Sequence, residues 1–218
     1  MNVEQLQKQI HVLYEGDVDF PNNIADEDFQ IRLALINLAI SEWAQVANVL
    51  WRELTQWLMD DTSITDHRII ADQNKYPCPD DFSKMYEGVI YIGSLKVKEF
   101  PIEKRQDKVE EEASGFYISG NKSDGFYINF LNVNLEDVVG EEINYLYIKQ
   151  PKIMEKLTDK PQCSDPNYVI HRVVSELYAQ DSDPKATKEL GMSQDLLSSM
   201  VVNNATTSIA GDNTYQID

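Results

Sequence analysis

The sequence predicts an α+β fold, a helical bundle domain formed from both chain ends with a small antiparallel β domain inserted between them. Three observations carry this. Residues 26–59 repeat apolar side chains three and four apart, with no Pro or Gly among them, which is the period of one helix face. Residues 68–150 change to short alternating runs separated by Gly-, Asn- and Asp-rich turns, the pattern of short strands. From residue 164 the helical period returns. Neither end carries enough helices to enclose a core alone, and an apolar stripe must be buried against another element. The two ends are therefore expected to pack together. The expected organisation is a helical domain of residues 1–66 and 151–202, a β domain of residues 67–150, and an extended C-terminal arm of residues 203–218.

Taken in order, residues 3–14 predict a short helix with Leu6, Ile10 and Leu13 on one face, ended by Gly16. A Pro-containing linker leads to the long helix of residues 26–59. Its inner face is Phe29, Leu33, Ile36, Ile40 and Trp43, continuing through Leu50, Leu54 and Leu58. Asp26, Glu27 and Asp28 occupy its first turn, where carboxylates meet the positive helix end. Ile31, Leu35 and Leu38 widen the stripe beyond what one core needs. Trp43, Trp51 and Trp57, the three tryptophans of the chain, also fall on this stretch. These six residues form either a face of the core or a face shared with a neighbouring subunit, and both readings stand at this point.

The β region begins with short strands over residues 68–71 and 89–92, with one helical turn expected at Asp80, Asp81 and Phe82. Leu95 and Val97 alternate with Lys96 and Lys98, as a half-exposed strand should. Residues 116–119 and 126–130 predict an aromatic hairpin around a Gly-Asn-Lys-Ser-Asp-Gly loop. Residues 143–149 are apolar on both faces and predict a central strand, stopped by Pro151. Residues 104–112 are a charge run, read as solvated surface or as a partner contact. Asp165-Pro166 and Asp183-Pro184 each start a helix, and the short connection between them makes an antiparallel pair. Ala186, Leu190, Leu197 and Val201 are expected on the packed face of the second.

The formal charge is −18, with an acidic excess of 9 through residue 66, 5 over residues 67–150 and 4 thereafter. With no basic cluster, tight phosphate binding or base reading of nucleic acid is not expected. Cys78 and Cys163 stand alone and make neither a disulfide framework nor a zinc site. The polar N-terminus is not a signal peptide, and no apolar run approaches a membrane span. His11, His67 and His171 are isolated, and His171 reads as a structural or surface histidine. Asp80-Asp81 and Glu110-Glu111-Glu112 lack the spacing of a calcium loop. No phosphate loop, nucleophile elbow or zinc-protease motif occurs. No catalysis, no metal and no cofactor are expected.

The layout resembles the head–tail connector (portal adaptor, tail-tubular type) proteins of tailed bacteriophages. The likeness rests on the helix around Trp51-x-x-Leu54, on Tyr76-x-x-Pro79-x-Asp81-Phe82 leading into the β region, on the strand ending at Pro151, and on the closing helix pair from Pro166 to Met200. It covers residues 24–203; the N-terminal segment and residues 104–112 lie outside the family pattern. The resemblance implies a structural virion protein at the head–tail junction, assembled in the host cytoplasm. It implies a ring, commonly dodecameric, beneath the portal protein, with downstream tail proteins below it and double-stranded DNA passing through without specific binding. Ile209, Tyr215, Gln216 and Ile217 are the spaced residues of the arm that would dock on the portal; the other reading of the arm is a disordered tail. The competing readings of the chain are another tail or baseplate component, or a carbohydrate-binding or hydrolytic β-domain protein.

Overall fold

Among the residues described by the computed structural model, helices lie at the two chain ends and nine short strands lie between them. The description covers all residues except 19, 21–24, 63–66, 101–112 and 213–218, with side chains as far as Ala205. The chain divides into two units, Met1–Leu54 with Pro151–Asp218, and Thr55–Gln150. The α+β class with an inserted β region is therefore the observed architecture.

The helical unit begins with α1 (Val3–Glu15), which opens on a capping box. Asn2 accepts from the Gln5 N–H and Gln5 accepts from the Asn2 N–H, both at 3.0 Å. Gly16 ends it at φ +76°, a conformation that favours glycine, and donates to the Val12 carbonyl. Helix α2 (Glu27–Ala44) is capped by Asp26, and α3 (Pro166–Gln180) by Asp165 with Pro166 in its first turn. Helix α4 (Lys185–Asp212) packs along α3, and α3 also packs on α1 and α2. Ile36 and Ile40 of α2, Leu6 and Ile10 of α1, and Val169 and Val173 of α3 are buried in this core. Each contributes at most about 1.5–3 kcal/mol by leaving water.

Polar ties fix which segments meet. Asn37 of α2 exchanges two hydrogen bonds with the Met154 backbone, at 3.0 and 2.7 Å. The Val3 and Glu4 N–H groups donate to the Asp159 and Leu157 carbonyls, so α1 is held to a segment more than 150 residues away. Arg172 of α3 grips Glu42 of α2 through two donors, at 2.8 and 3.0 Å.

Four expectations in this unit are corrected. The long helix stops at Ala44 rather than reaching residue 59. Asn48 takes a left-handed φ of +60°, and the Trp51 indole N–H folds back onto the Trp43 carbonyl at 2.8 Å, satisfying a helix-end acceptor. The apolar period ran on because the irregular segment still buries Trp51 and Leu54. Residues 55–57, expected in the helical domain, form a strand of the β unit. On α4, Leu190 is exposed, whereas Ser193, Met200 and Asn204 are the buried positions. The expected arm from residue 203 is helical through Asp212, because no Pro or capping motif stops α4 at Val202.

The β unit holds β1 (Thr55–Trp57), β2 (Lys75–Pro77), β3 (Phe82–Met85), β4 (Val89–Ile92), β5 (Leu95–Lys98), β6 (Gly115–Asn121), β7 (Gly125–Leu131), β8 (Ile143–Asn144) and β9 (Leu146–Lys149). They make three antiparallel sheets, in the orders β1-β9-β3, β2-β7-β6 and β5-β4-β8. The expected strand over residues 143–149 is thus broken at Tyr145 and serves two sheets, with β9 central in its own. Its pattern holds, since Ile143, Tyr145 and Tyr147 all point into the core. The β6–β7 hairpin turns on Asn121, whose side-chain oxygen accepts from the Ser123 and Asp124 N–H groups. Gly120 at φ +105° is required there, because a Cβ would lie 2.1 Å from the Gly125 carbonyl. Two further expectations fail. Residues 68–71 give only a bridge between Arg68 and Glu142. Asp80-Asp81 form a turn rather than helix, and Phe82 opens β3. The core is aromatic: Phe82 packs on Phe126, Tyr145 and Tyr147 with ring centroids 5.5–6.5 Å apart.

Candidate functional site

Helix α2 has two apolar faces. One, through Phe29, Ile36, Ile40 and Trp43, is buried. The other, through Ile31, Ala34, Leu35 and Leu38, lies roughly 160° around the helix at 100° per residue. Ile31 is 40% exposed and Leu38 48% exposed, with Ala34 exposed and Leu35 partly so. A helix apolar all round is normally enclosed, and here one face has no cover among the described residues. Of the six candidates, Ile31, Leu35 and Leu38 thus form the outward face. Trp43 and Trp51 are core, their tilted rings packed with centroids 5.1 Å apart. Trp57 belongs to neither reading, since it sits on β1 in the β unit.

There it helps build a second exposed apolar surface. Trp57 is 38% and Met59 59% exposed, and Tyr91 of β4 is exposed beside them. The Trp57 and Tyr91 rings lie 6.4 Å apart, and Asn144 of β8 reaches the Met59 backbone N–H at 3.3 Å. Tyr91 stands opposite Asn144 on one side and Lys96 of β5 on the other, with the Lys96 ammonium 5.7 Å from its ring. Lys98 continues the same outward row. The sequence signal for this surface was present, in the outward member of each alternating pair, but short strands do not announce which outward residues will be neighbours.

The titratable residues are structural in their placement. His171 pairs with Glu189 at 2.7 Å and ties α3 to α4. His11 is buried, its Nδ1 accepting from the buried Arg32 at 3.3 Å, and Arg32 also meets Glu15 at 3.5 Å. Burial pushes the Cys78 and Cys163 thiols up to about 12, so neither is a nucleophile at neutral pH. The Tyr147 hydroxyl lies 3.0 Å from Asp61 and 3.2 Å from Asp81, two carboxylates around one phenol proton. Burial raises the Asp81 carboxyl, with Asp61 adding to the rise and Lys149 opposing it. The buried Tyr145 hydroxyl faces the Cys78 thiol, a weak partner. Among the described residues, no three His, Cys, Asp or Glu side chains are grouped to hold a metal ion. No helix among them is long and apolar enough to cross a membrane.

Of the arm residues, Ile209 falls on the last turns of α4 with its side chain outside the description, and Tyr215, Gln216 and Ile217 lie outside the described residues. So does the charge run of residues 104–112. No known family model matches the chain, and no curated protein is significantly similar to it.

Proposed function

We propose that the chain is a structural subunit of the head–tail junction of a tailed bacteriophage. It is a connector that forms a ring beneath the portal protein, joins the capsid to the tail, and lines part of the DNA channel. The observation that carries this reading is α2, a helix apolar on two opposite faces, one enclosed by the bundle and the other open. Such a helix suits a subunit whose second face is covered only in the assembly. The order of elements supports it as well: helices, inserted β unit, closing helix pair. The net charge of −18 fits a conduit that double-stranded DNA must traverse without sticking. The reading assigns no catalytic step, and its partners are further copies of the chain, the portal protein and downstream tail proteins.

Docking on the portal is assigned to the C-terminal end, through Ile209, Tyr215, Gln216 and Ile217. A chain ending at Asp212 keeps every residue of α4, and we expect it to fold normally but to be lost from portal-bearing heads on purification. Co-purification of the full chain with a portal protein, followed by imaging of the particle, tests the reading directly. A ring under the portal with an inner wall dominated by acidic side chains is the expected result. A chain that binds no portal, or a channel lined mainly by Lys and Arg, would overturn it.

A further inference from the structure

We infer that copies of this chain join head to tail, the α2 stripe of one copy (Ile31, Leu35, Leu38) seating on the Trp57–Met59–Tyr91 surface of the next. The inference deepens the ring reading above and rests on it for its biological meaning. Both surfaces are apolar, exposed and built on regular elements, so each is held in shape before any contact is made. Their rims carry opposite charge. The α2 stripe is bordered by the exposed Glu27 and Asp28 at its start, while Glu42 near its end is already held by Arg172. The β surface is bordered by Lys96 and Lys98, and neither lysine is held in an ion pair among the described residues. Of the acids near it, Asp60 follows Met59 in the chain, and Glu142 is already matched by Arg68 at 3.7 Å.

Charge decides which occupant fits. Stripe against stripe would add the uncompensated acids Glu27 and Asp28 of one copy to those of another. Surface against surface would oppose the lysines. Like charges across an interface cost several kcal/mol, whereas the unlike pairing aligns each rim with its complement. The Trp and Tyr supply the large buried anchors that dominate interface energetics, and the charged rims would shield them from water. Neither apolar patch alone approaches the roughly 800 Å² per partner of a stable interface, so the rims must contribute to the contact. Because the two surfaces differ, each copy in a pairwise contact keeps one of its two surfaces unused. That is a heterologous interface, which propagates and closes into a ring when the rotation permits.

The test uses two variants at exposed positions, Leu38→Asp and Met59→Asp, with sedimentation velocity and helical circular dichroism on each. Wild type should self-associate, and both variants should keep the wild-type spectrum yet remain monomeric. Mixed together, they should form a two-copy complex and nothing larger, since the intact stripe of one meets the intact surface of the other. Lys96→Glu should weaken wild-type association by about tenfold or more, and adding Glu27→Lys should recover part of it. If Met59→Asp alone still pairs, the contact is stripe on stripe and the inference is wrong. It is equally wrong if both variants associate like wild type, if the mixture stays monomeric, or if wild type itself never associates. Binding of the full chain to portal-bearing heads is measured separately. A chain that self-associates as described but ignores the portal sinks the connector reading and leaves this contact standing.

Discussion

The helical unit and the β unit are stabilised in different ways. The helical unit is assembled from segments far apart in sequence, and specific polar groups decide which segments meet. Asn37 reaches Met154, Arg172 reaches Glu42, and the buried Asn204 donates to the Leu50 carbonyl at 2.6 Å. The β unit is one continuous stretch, but β1–β9, β3–β9, β2–β7 and β4–β8 still pair strands far apart within it. Hairpins β4–β5 and β6–β7 close locally, and the core between sheets is filled by Phe and Tyr rings. Loop closure costs entropy, so the helical unit needs directional side-chain ties to select one long-range arrangement, whereas the β unit fixes its long-range pairings by backbone ladders and by the shape of its ring-filled core. The first should therefore be fragile to loss of a polar tie, and the second to loss of ring volume.

The largest expected effect breaks the helical unit alone. Leu177 of α3 is buried, and Leu177→Asp places an unpaired carboxylate in that core. We expect a loss of about 3–5 kcal/mol, enough to abolish the cooperative helical melt followed by circular dichroism at 222 nm. The counterpart in the β unit is Phe82→Ala, which removes the ring that touches Phe126, Tyr145 and Tyr147. A loss of about 3–5 kcal/mol is expected, and hydrogen exchange should locate it in β3, β7 and β9 before α1–α4. A smaller change sharpens the contrast. Asn204→Ala deletes one side chain from α4 and leaves the Leu50 carbonyl without its side-chain donor, at a cost of about 1–3 kcal/mol. Denaturant melts should show that cost, and Asn129→Ala on the partly buried face of β7 should cost less, because its amide bonds lie within a ladder that persists without it.

The same difference explains what could be read in advance. The bundle made from both chain ends was legible, because the stripes of α2 and α3 needed each other and their caps, Asp26 and Asp165, stood in the sequence. The end of α2 was not. Its stop depends on Asn48 turning left-handed and on Trp51 reaching back to Trp43, a tertiary event with no breaker residue to mark it. The break at Tyr145 was hidden for a related reason: an inward-pointing alternation looks the same whether one sheet or two lie beneath it. The outward face of α2 was visible as excess stripe width. The surface around Trp57 was not, since it depends on β1 and β4, which belong to different sheets, presenting their outward rings side by side.

The smallest expected effect separates the units by pH. In the β unit, burial raises Asp81, and partial desolvation raises Glu99. Facing Asp81 are Tyr147 and Lys149 from β9 and Asp61 from the turn beyond β1. In the helical unit, the Glu155 N–H, the Lys152 ammonium and the Lys156 N–H hold Asp159 well below the usual carboxylate range. A carboxyl raised in the folded state binds its proton more tightly there than when unfolded, so acid favours folding until the unfolded value near 4 is passed. A lowered carboxyl does the reverse: its contribution is complete above about 4 and is lost as pH falls toward its folded value. Lowering the pH from 7 to about 4.5 should therefore raise the protection of β3 and β9 slightly while leaving α1 and its Asp159 anchor unchanged. Below about 4 the order reverses, and the Val3–Asp159 contact should open before the sheets do. The β-side change is small, because water screens carboxyls that are only half withdrawn from it. Residue-resolved hydrogen exchange across this range measures both limbs. Tyr147→Phe should steepen the upper one, since it removes the hydrogen bond that holds the Asp81 carboxyl down against its burial, and an unchanged upper limb in that variant would assign the pH response to Glu99 instead.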